Sequence, residues 1–597
     1  MPDTSLESVD RASLRKELLA QIAAEQQLAW SEELAADSKL RTKRLNHDVT
    51  EPDIVQTWKN LAPAPAPQPP GTAQILQAEA RNELGDAELL QDLAQDFVFD
   101  HGAQSWMRFN GVIWTRDVLA DARRLPMVQL ADLYEMAAAK MISELEDIKA
   151  ASEARLTKLK SDLDEASNAG DGATIAALKA VITQEEAKAQ KIKGAKNTQT
   201  KRLAERAKRL RGKTRATAVL EVAAAGEGSL GISGEEWETH PLLFACSNGV
   251  VDLETGRLMP SSHKLYLKKA SPYPYIGLTA STGWWEDHLA KVFCGNEILI
   301  DYFERVIGYS VTGLRVNKDI WVAYGPQADN GKSATFNTIK TVVGDYATTI
   351  KVDMLLDDGK ADKGPDPDLM VIDGLRLGLA SEAGGRARFS IERIKAVTGG
   401  DDVRARGLYT DSRIIKSYAK LWLHTNTIPQ LSGYDPGFQL RLKIVPFLAR
   451  FTMRPQDVDE SQHIYRAIDQ AAFAEIKKRE APYILAWVLR CARKFLANPH
   501  YTTPDMVNQY TQTYFEEEDL VGQFITCCCT EDPAAKTQAK NLYSAFKKFC
   551  IDEQGIAEKN VKSAVTFGRD MAKRYERRTS NVIYYNGISL KPYWMPG

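Results

Sequence analysis

The segment Pro326-Gln-Ala-Asp-Asn-Gly-Lys-Ser333 sets a glycine, a lysine and a hydroxyl side by side, directly after the apolar run Asp319-Ile-Trp-Val-Ala-Tyr-Gly325. These residue types suit the binding of a nucleoside triphosphate. Such a loop wraps backbone N–H groups around the β-phosphate and opens a helix whose positive N-terminus faces the anion, and Ala334 to Val343 can supply that helix. Lys332 is the candidate contact to the β- and γ-phosphates and Ser333 the oxygen ligand of Mg²⁺; at Gly331 a Cβ would collide with the nucleotide. Gly325, Asp329, Asn330 and Ala334 complete the predicted cradle for ATP. The spacing is G-x5-G-K-S, so either the loop is one residue longer than the usual motif or Pro326 takes the first glycine's place.

Three further positions match the needs of triphosphate hydrolysis. The strand-like run Leu375-Arg-Leu-Gly-Leu-Ala-Ser-Glu382 ends in a carboxylate, where an acid is needed to polarise water and help hold the metal. Glu382 is therefore the candidate general base. Lys420-Leu-Trp-Leu-His-Thr-Asn426 ends in an amide at a strand's C-terminal end, where open α/β sheets keep their ligands. Asn426 is suited to sense the γ-phosphate and orient water. In Gln439-Leu-Arg-Leu-Lys-Ile-Val-Pro-Phe447, Arg441 is placed to act as a finger on a neighbouring subunit's nucleotide, a role that implies a ring.

The elements that must position these residues sit in a chain of 597 residues, long enough for about three to five domains. Its 44% hydrophobic and 26% charged residues are those of a folded protein, and 77 Lys plus Arg against 79 Asp plus Glu advertise no polyanionic partner overall. No apolar run is long enough for a membrane helix and the N-terminus has no secretory pattern, so a cytoplasmic location is expected. Seven cysteines without a C-x-x-C pair and eight histidines without ligand spacing predict neither structural zinc nor disulfides. Cys527-Cys528-Cys529 is expected to lie in a helix, as small core hydrophobes.

Residues 1–60 read as short amphipathic helices and 61–72 as a Pro/Ala-rich linker. A helical N-terminal domain over 73–300 is expected to contain a long helical hairpin at about 127–215, turning at Asn168-Ala-Gly-Asp-Gly172. Leu145, Ile148, Leu156, Leu159 and Leu163 mark its apolar seam. Its tail, 188–215, holds twelve Lys and Arg against the single acid Glu205, which suits either a solvated face or phosphate contacts. Asn248-Gly249 and Thr255-Gly256 predict hairpin turns. The predicted ATPase core spans 301–455, followed by a helical subdomain over 456–533 and a final domain over 534–597.

Taken together, the blocks SNGVVDLETG, YFERVIGYSVTG, ADNGKS, SEAG, IKAVTGGDDVRARGLY, LWLHTNTIP and EAPYILAWVL resemble, in order, superfamily 3 helicases of the phage and plasmid primase-helicase type. The resemblance covers roughly 230–530. It implies an α/β fold with an AAA+ type P-loop core, a hexameric ring around one DNA strand, 3′ to 5′ translocation, and ATP with Mg²⁺ between subunits. It assigns Lys332 and Ser333 to nucleotide and metal, Glu382 to the acidic motif, Asn426 to the sensor and Arg441 to the trans-acting arginine. Thr398 to Arg406 looks like the family's additional motif, whose hairpin makes Arg404, Arg406, Arg413 and Lys416 candidates for DNA contact in the channel. In place of the Trp-Arg-Arg common in relatives, this chain has Gln439-Leu440-Arg441, with one arginine.

The tail 534–597 carries twelve Lys and Arg against five acids, interleaved with Tyr575, Tyr584, Tyr585 and Trp594. It resembles a winged-helix DNA-binding domain. A basic helix over 565–578 would offer Lys573, Arg574, Arg577 and Arg578 to DNA, and Asn586-Gly587 would turn a hairpin. No pair of metal-binding aspartates suggests a primase domain, so a separate primase or polymerase is an expected partner. The leading reading is an ATP-dependent replicative DNA helicase of a phage, prophage or plasmid, acting in the host cytoplasm. Its rivals are a DNA-stimulated ATPase that loads or remodels replication proteins without unwinding, and a structural DNA-binding protein with an inactive nucleotide site.

Overall fold

The computed structural model describes residues 70–357, 369–382, 387–399, 403–406, 412–415, 417–431 and 435–595. The predicted N-terminal helices, most of the linker and Lys416 lie outside them. The described chain divides into two units, one built from 70–234 with 260–266 and the other from 235–259 with 267–595.

The first unit begins with α1 (Thr72–Ala80) and α2 (Asn82–Leu93), followed by β1 (Phe97–Asp100), β2 (Ser105–Phe109) and β3 (Trp114–Arg116). These strands form an antiparallel meander, and β4 (Gly231–Ile232) adds to β1 in parallel. Between β3 and β4 run α3 (Ala131–Ala169), α4 (Gly172–Leu210) and α5 (Lys213–Ala223). The turn from α3 to α4 follows from local chemistry: Gly170 takes φ +72°, and the Asp171 carboxylate caps α4 by accepting from the N–H groups of Ala173 and Thr174. Each helix has 39 residues, about 58 Å of rod, yet only their bases are buried, Tyr134 to Met141 in α3 and Leu203 to Leu210 in α4. The segment 260–266 belongs to this unit because Trp114 Nε1 donates to His263 O at 2.8 Å and Ser261 Oγ to Val112 O at 2.5 Å.

The second unit opens with the meander β5 (Leu243–Cys246), β6 (Gly249–Asp252) and β7 (Arg257–Met259), then α6 (Trp284–Val292) and α7 (Glu297–Val311). The first turn lies one position earlier than predicted. Cys246 pairs with Gly249, so Ser247 and Asn248 form it. Next come β8 (Ile320–Tyr324), α8 (Lys332–Val343), β9 (Ala347–Thr349), β10 (Leu377–Ser381), α9 (Ile391–Gly399), the hairpin β11 (Val403–Arg406) and β12 (Ser412–Ile415), β13 (Lys420–Thr425), α10 (Pro436–Gln439) and β14 (Leu442–Pro446). Five of these strands make a parallel sheet in the order β14-β8-β13-β10-β9.

Strand alternation places Trp321, Leu379, Trp422 and Val445 in one core and Ile320, Val322, Leu421, Leu423 and Ile444 in another. Helices cover both faces, which is why these strands read as continuous apolar runs. The first core also holds Phe244, Trp285 and Leu289, so the predicted boundary at 300 is wrong. Residues 235–259 and 267–300 pack with the sheet.

The boundary at 455 is also corrected, because β15 (Arg450–Thr452) pairs with β16 (Ile464–Arg466) across it. Then α11 (Gln470–Ala497) buries Ile484, Leu485 and Trp487 in the first core, and α12 (Asp505–Glu518) contributes Tyr514 and Phe515 to the second. A C-terminal module follows: α13 (Leu520–Cys528), β17 (Cys529–Gln538), α14 (Ala539–Asp552), α15 (Ala564–Ala572), β18 (Arg577–Thr579) and β19 (Ile583–Leu590). Its core joins Phe524, Cys528, Phe546, Phe567 and Tyr585, so it begins near 520 and the predicted start at 534 falls inside β17. Cys528 ends the helix and Cys529 opens the strand, both buried, while Cys527 is exposed.

Asn586-Gly587 makes no turn. Asn586 pairs with Lys536 within β19, opposite a register shift in β17, and the hairpin reverses at 580–582 instead. Gly587, at φ +85°, supplies backbone freedom beside that irregularity. The predicted basic helix over 565–578 is shorter, since α15 ends at Ala572 and Arg577 and Arg578 lie on β18.

Candidate functional site

The loop joining β8 to α8 emerges at the C-terminal end of β8, between β14 and β13 in the sheet. Lys332, the first residue of α8, is buried at 5% exposure, and its Nζ donates to Asn330 Oδ1 and Asn426 Oδ1 at 2.7 Å each and to Gly325 O at 3.4 Å. All three acceptors are neutral, and burial pulls the ammonium down to about 8. Asn330 is itself buried, and its Nδ2 donates to Gln327 O at 2.7 Å.

Both glycines are required by packing. A Cβ on Gly325 would fall on Asn330 Nδ2 and come within 2.8 Å of Lys332 Nζ. Gly331 caps α8 at φ +81°, and a Cβ there would meet Val292 Cγ2 at 2.9 Å and Phe451 Cε2 at 3.1 Å. Protein neighbours already exclude the Cβ expected to clash with the nucleotide. Asp329, exposed and at φ +59°, ties the loop to β15 by accepting from Phe451 N at 2.7 Å. Ser333 is exposed at the mouth of the loop and Ala334 is half-buried behind it.

The neighbouring strand ends bring the other predicted residues to the same edge. β10 and β13 run in register, Ser381 beside His424, so Glu382 and Asn426 leave adjacent strands. Glu382 is exposed, has φ +55° and donates its N–H to His424 O at 3.3 Å. A non-glycine residue in this left-handed conformation is uncommon and aims the carboxylate out of the strand's line. His424 stacks on Phe336 at 5.8 Å; burial, with Lys332 and Lys340 nearby, lowers its imidazole to about 4, which leaves it neutral at pH 7.

Arg441 is elsewhere. Its carbonyl accepts from Ile320 N at 2.9 Å, which puts it at the start of β8, whereas the loop follows the end of that strand. Five strand residues separate the two ends by about 17 Å. Its Nη1 donates to Thr398 Oγ1 at 2.7 Å and to Lys395 O at 3.4 Å, at the end of α9 just before the β11–β12 hairpin. Arg404, Arg406 and Arg413 lie on that antiparallel hairpin, Ala405 opposite Arg413.

Of the tail candidates, Lys573, Arg577 and Arg578 are exposed, and Arg578 Nε meets Glu576 at 3.1 Å. Arg574 is corrected: its side chain is 16% exposed and pairs with Asp519 at 2.7 Å, tying α13 to the end of α15.

Sequence reasoning missed the cleft beside the loop. About 930 Å³ in volume, it extends from Asn330, Gly331 and Ser333 to Trp284 and His288 of α6, Phe451 of β15 and Phe473 of α11. His288 stacks on Trp284 at 5.9 Å and shares a 3.0 Å hydrogen bond with Thr335 Oγ1, and burial lowers its imidazole to about 4. Lys291, Arg450, Arg454, Arg466 and Lys477 also line the cleft, giving it a cationic rim. These residues come from three well-separated stretches of the chain, so no local spacing announces them.

A polyphosphate fits these residues: a buried cation at the edge of a cleft with displaceable partners, a helix N-terminus and a basic rim. Ser333 and Glu382 could supply oxygen ligands to Mg²⁺, which usually keeps water and phosphate oxygens in the rest of its shell. Among the described residues no cluster of three His, Cys, Asp or Glu forms a metal cage by itself, and no helix is long and apolar enough to cross a membrane.

Residues 87–294 match the family described as D5 N terminal like. A "Putative helicase" of Acanthamoeba polyphaga mimivirus is 25% identical over 211 residues, 35% of this chain and 22% of its own length. One of Frog virus 3 is 25% identical over 237 residues, 38% of this chain and 23% of its own. A third, of Invertebrate iridescent virus 6, is 23% identical over 495 residues, 76% of this chain and 48% of its own. The chain thus spans less than half the length of these relatives. Among solved structures, the apo C-terminal region of NrS-1 aligns at a TM-score of 0.29 and 12% identity, over 48% of this chain and 59% of that one.

Proposed function

We infer that the chain is an ATP-dependent DNA helicase of superfamily 3, related to D5-like primase-helicases, which works as a hexameric ring in replicating a mobile element's DNA. The observation that carries this reading is Lys332: a buried cation beyond the C-terminal end of β8, held only by neutral oxygens and touching the amide at the end of the neighbouring strand β13. The sheet order β14-β8-β13-β10-β9 supports an AAA+ type core, with the phosphate-loop strand between the last strand and the sensor strand. The names of the viral relatives support a helicase.

In this mechanism bound Mg²⁺·ATP supplies the scissile phosphoanhydride and the metal's charge. Lys332 leaves Asn330 and Asn426 for the β- and γ-phosphates, and the freed Asn426 amide orients the attacking water. Glu382 polarises that water and takes its proton, and Ser333 offers its hydroxyl oxygen to the metal. Arg441 is too far from its own loop to serve it, which favours action on a neighbouring subunit's nucleotide. Because Arg441 is bonded to the end of α9, engagement across an interface would release Thr398 next to the β11–β12 hairpin, where Arg404, Arg406, Arg413 and Lys416 would meet DNA. The order helix, strand, helix, helix, strand, strand in the C-terminal module supports a winged-helix-like domain that offers Lys573, Arg577 and Arg578 to DNA. A separate primase or polymerase would complete the replication machinery.

The test is ATP hydrolysis with and without single-stranded DNA, together with displacement of a labelled strand from a fork. Stimulated hydrolysis with displacement is expected. Hydrolysis without displacement would favour the loading or remodelling ATPase, and no hydrolysis a structural DNA-binding protein.

A further inference from the structure

The nucleotide site makes no use of the long hairpin of the first unit. Its two helices form an antiparallel coiled coil. On α4 the residues turned inward alternate by three and four, through Leu178, Ile182, Glu185, Ala189, Ile192, Lys196, Gln199 and Leu203. Ion pairs tie α4 to its neighbours: Lys196 to Glu144 of α3 at 2.8 Å, Glu185 and Glu186 to Arg155 and Lys160 of α3 at 3.4 and 3.6 Å, and Arg202 to Glu79 of α1 at 2.5 Å. At the base Arg206 is buried against Asp86 at 2.8 Å, and Asp86 also accepts from Tyr134 at 2.7 Å, which fixes the root of the rod.

Other cations of α4 are exposed and make no ion pair among the described residues. With Ala189 and Lys196 at heptad position a, Lys179 and Lys193 fall at e, on one flank of the seam. Lys188, Lys191, Lys201, Lys208 and Arg209 fall at c, f and g, and these five share one side of the helix. They span about 32 Å along the axis, close to one turn of duplex DNA. Across the hairpin, α3 carries nine acids against five bases, while α4 carries ten bases against three acids. The rod therefore has one face that attracts a polyanion and one that repels it.

We propose that the five-cation face of α4 is a docking surface for the phosphate backbone of duplex DNA. A straight, rigid row of cations laid along a stiff duplex meets the two phosphate backbones where they cross its line, at intervals that repeat with each helical turn. α4 has no aromatic residue, so it offers no stacking platform for single strands. Between Lys188 and Arg209 it exposes no large apolar side chain to anchor a protein partner. The choice of DNA among polyanions rests on the helicase reading; the surface itself does not depend on the ATPase site.

The experiment uses the full chain, without nucleotide, in which all five residues are changed to Gln, a good helix former. Binding to a duplex of about 30 base pairs and to a single strand of equal length is followed by anisotropy through a salt series. The expected result is duplex affinity reduced about tenfold or more, a log–log salt slope shallower by about 3 to 5, and single-strand affinity within about twofold of wild type. The variant with Lys188, Lys191, Lys201 and Lys208 changed to Arg keeps duplex binding. Unchanged duplex affinity and slope would overturn the proposal, as would equal loss on both DNAs. So would loss of polyglutamate binding with duplex binding intact, which would point to an acidic protein. Failure of the helicase reading is separately visible as a wild-type chain that binds duplex through α4 yet hydrolyses no ATP.

Discussion

Arg206 in the first unit and Lys332 in the second are both buried cations, at 6% and 5% exposure, yet they are held in opposite ways. Arg206 sits among carboxylates, 2.8 Å from Asp86 and 3.7 Å from Glu79, with the Asn82 amide oxygen also accepting from it. Lys332 touches only two amide oxygens and a carbonyl. Neutral partners also hold Lys420, through Thr312 O and Tyr418 O, but Lys420 is sealed inside the fold whereas Lys332 lines a cleft. The difference teaches how to tell a structural charge from one kept for a ligand. A cation neutralised by carboxylates, as Arg206 is, or sealed inside the fold, as Lys420 is, serves the structure, whereas a binding cation beside a cleft is left with partners that an incoming anion can displace.

The largest effect should come from replacing Lys332 with Met, which is expected to lower ATP hydrolysis about a thousandfold or more without lowering the melting temperature at pH 7. A lower melting temperature would make Lys332 a structural cation like Arg206 and break the comparison. Arg441→Ala should cut hydrolysis about a thousandfold with nucleotide binding intact, and mixing with Lys332→Met subunits should restore part of it at the junctions that remain complete. Mixing experiments without rescue at any ratio would remove the trans role. Arg206→Met should act through the fold, with a loss of about 3 kcal/mol on denaturant unfolding because Asp86 and Glu79 lose their shared cation. Hydrolysis per folded molecule should be unchanged.

The smallest effect is in pH. In the proposed mechanism it is the charged form of Lys332 that binds phosphate, and burial lowers its ammonium to about 8, so ATP affinity should be flat below about pH 7. As pH rises through 8, binding must take up a proton and affinity should fall, about tenfold per pH unit well above 8. Calorimetry in buffers of different ionisation enthalpy measures that uptake directly.

How much of this was legible in the sequence follows from how local each signal is. Strand β8, the loop and α8 could be read because an apolar run, a G-K-S triplet and a helix start are neighbours in the chain. Asn426 could be placed because it follows an apolar strand, but its hydrogen bond to Lys332 joins residues 94 positions apart. The aromatic cleft was invisible for the same reason, since Trp284, Phe451 and Phe473 meet only when α6, β15 and α11 pack around the loop. Asn586-Gly587 has turn chemistry, yet Asn586 pairs with Lys536 of β17 and donates its N–H to Glu576 O, which keeps it inside a strand, so tertiary pairing overrides local preference. Arg574 belonged to a basic cluster by composition, but the position of Asp519, 55 residues earlier, commits it to the fold.

The most direct measurement is a calorimetric titration of Mg²⁺·ATP into the full-length protein and into its Lys332→Met variant, with the melting temperature of each recorded alongside. Saturable binding by the wild type and none by the variant is expected, with the variant melting at a temperature equal to or above that of the wild type. Equal binding by both proteins, or no binding by a folded wild type, would contradict the role given to Lys332.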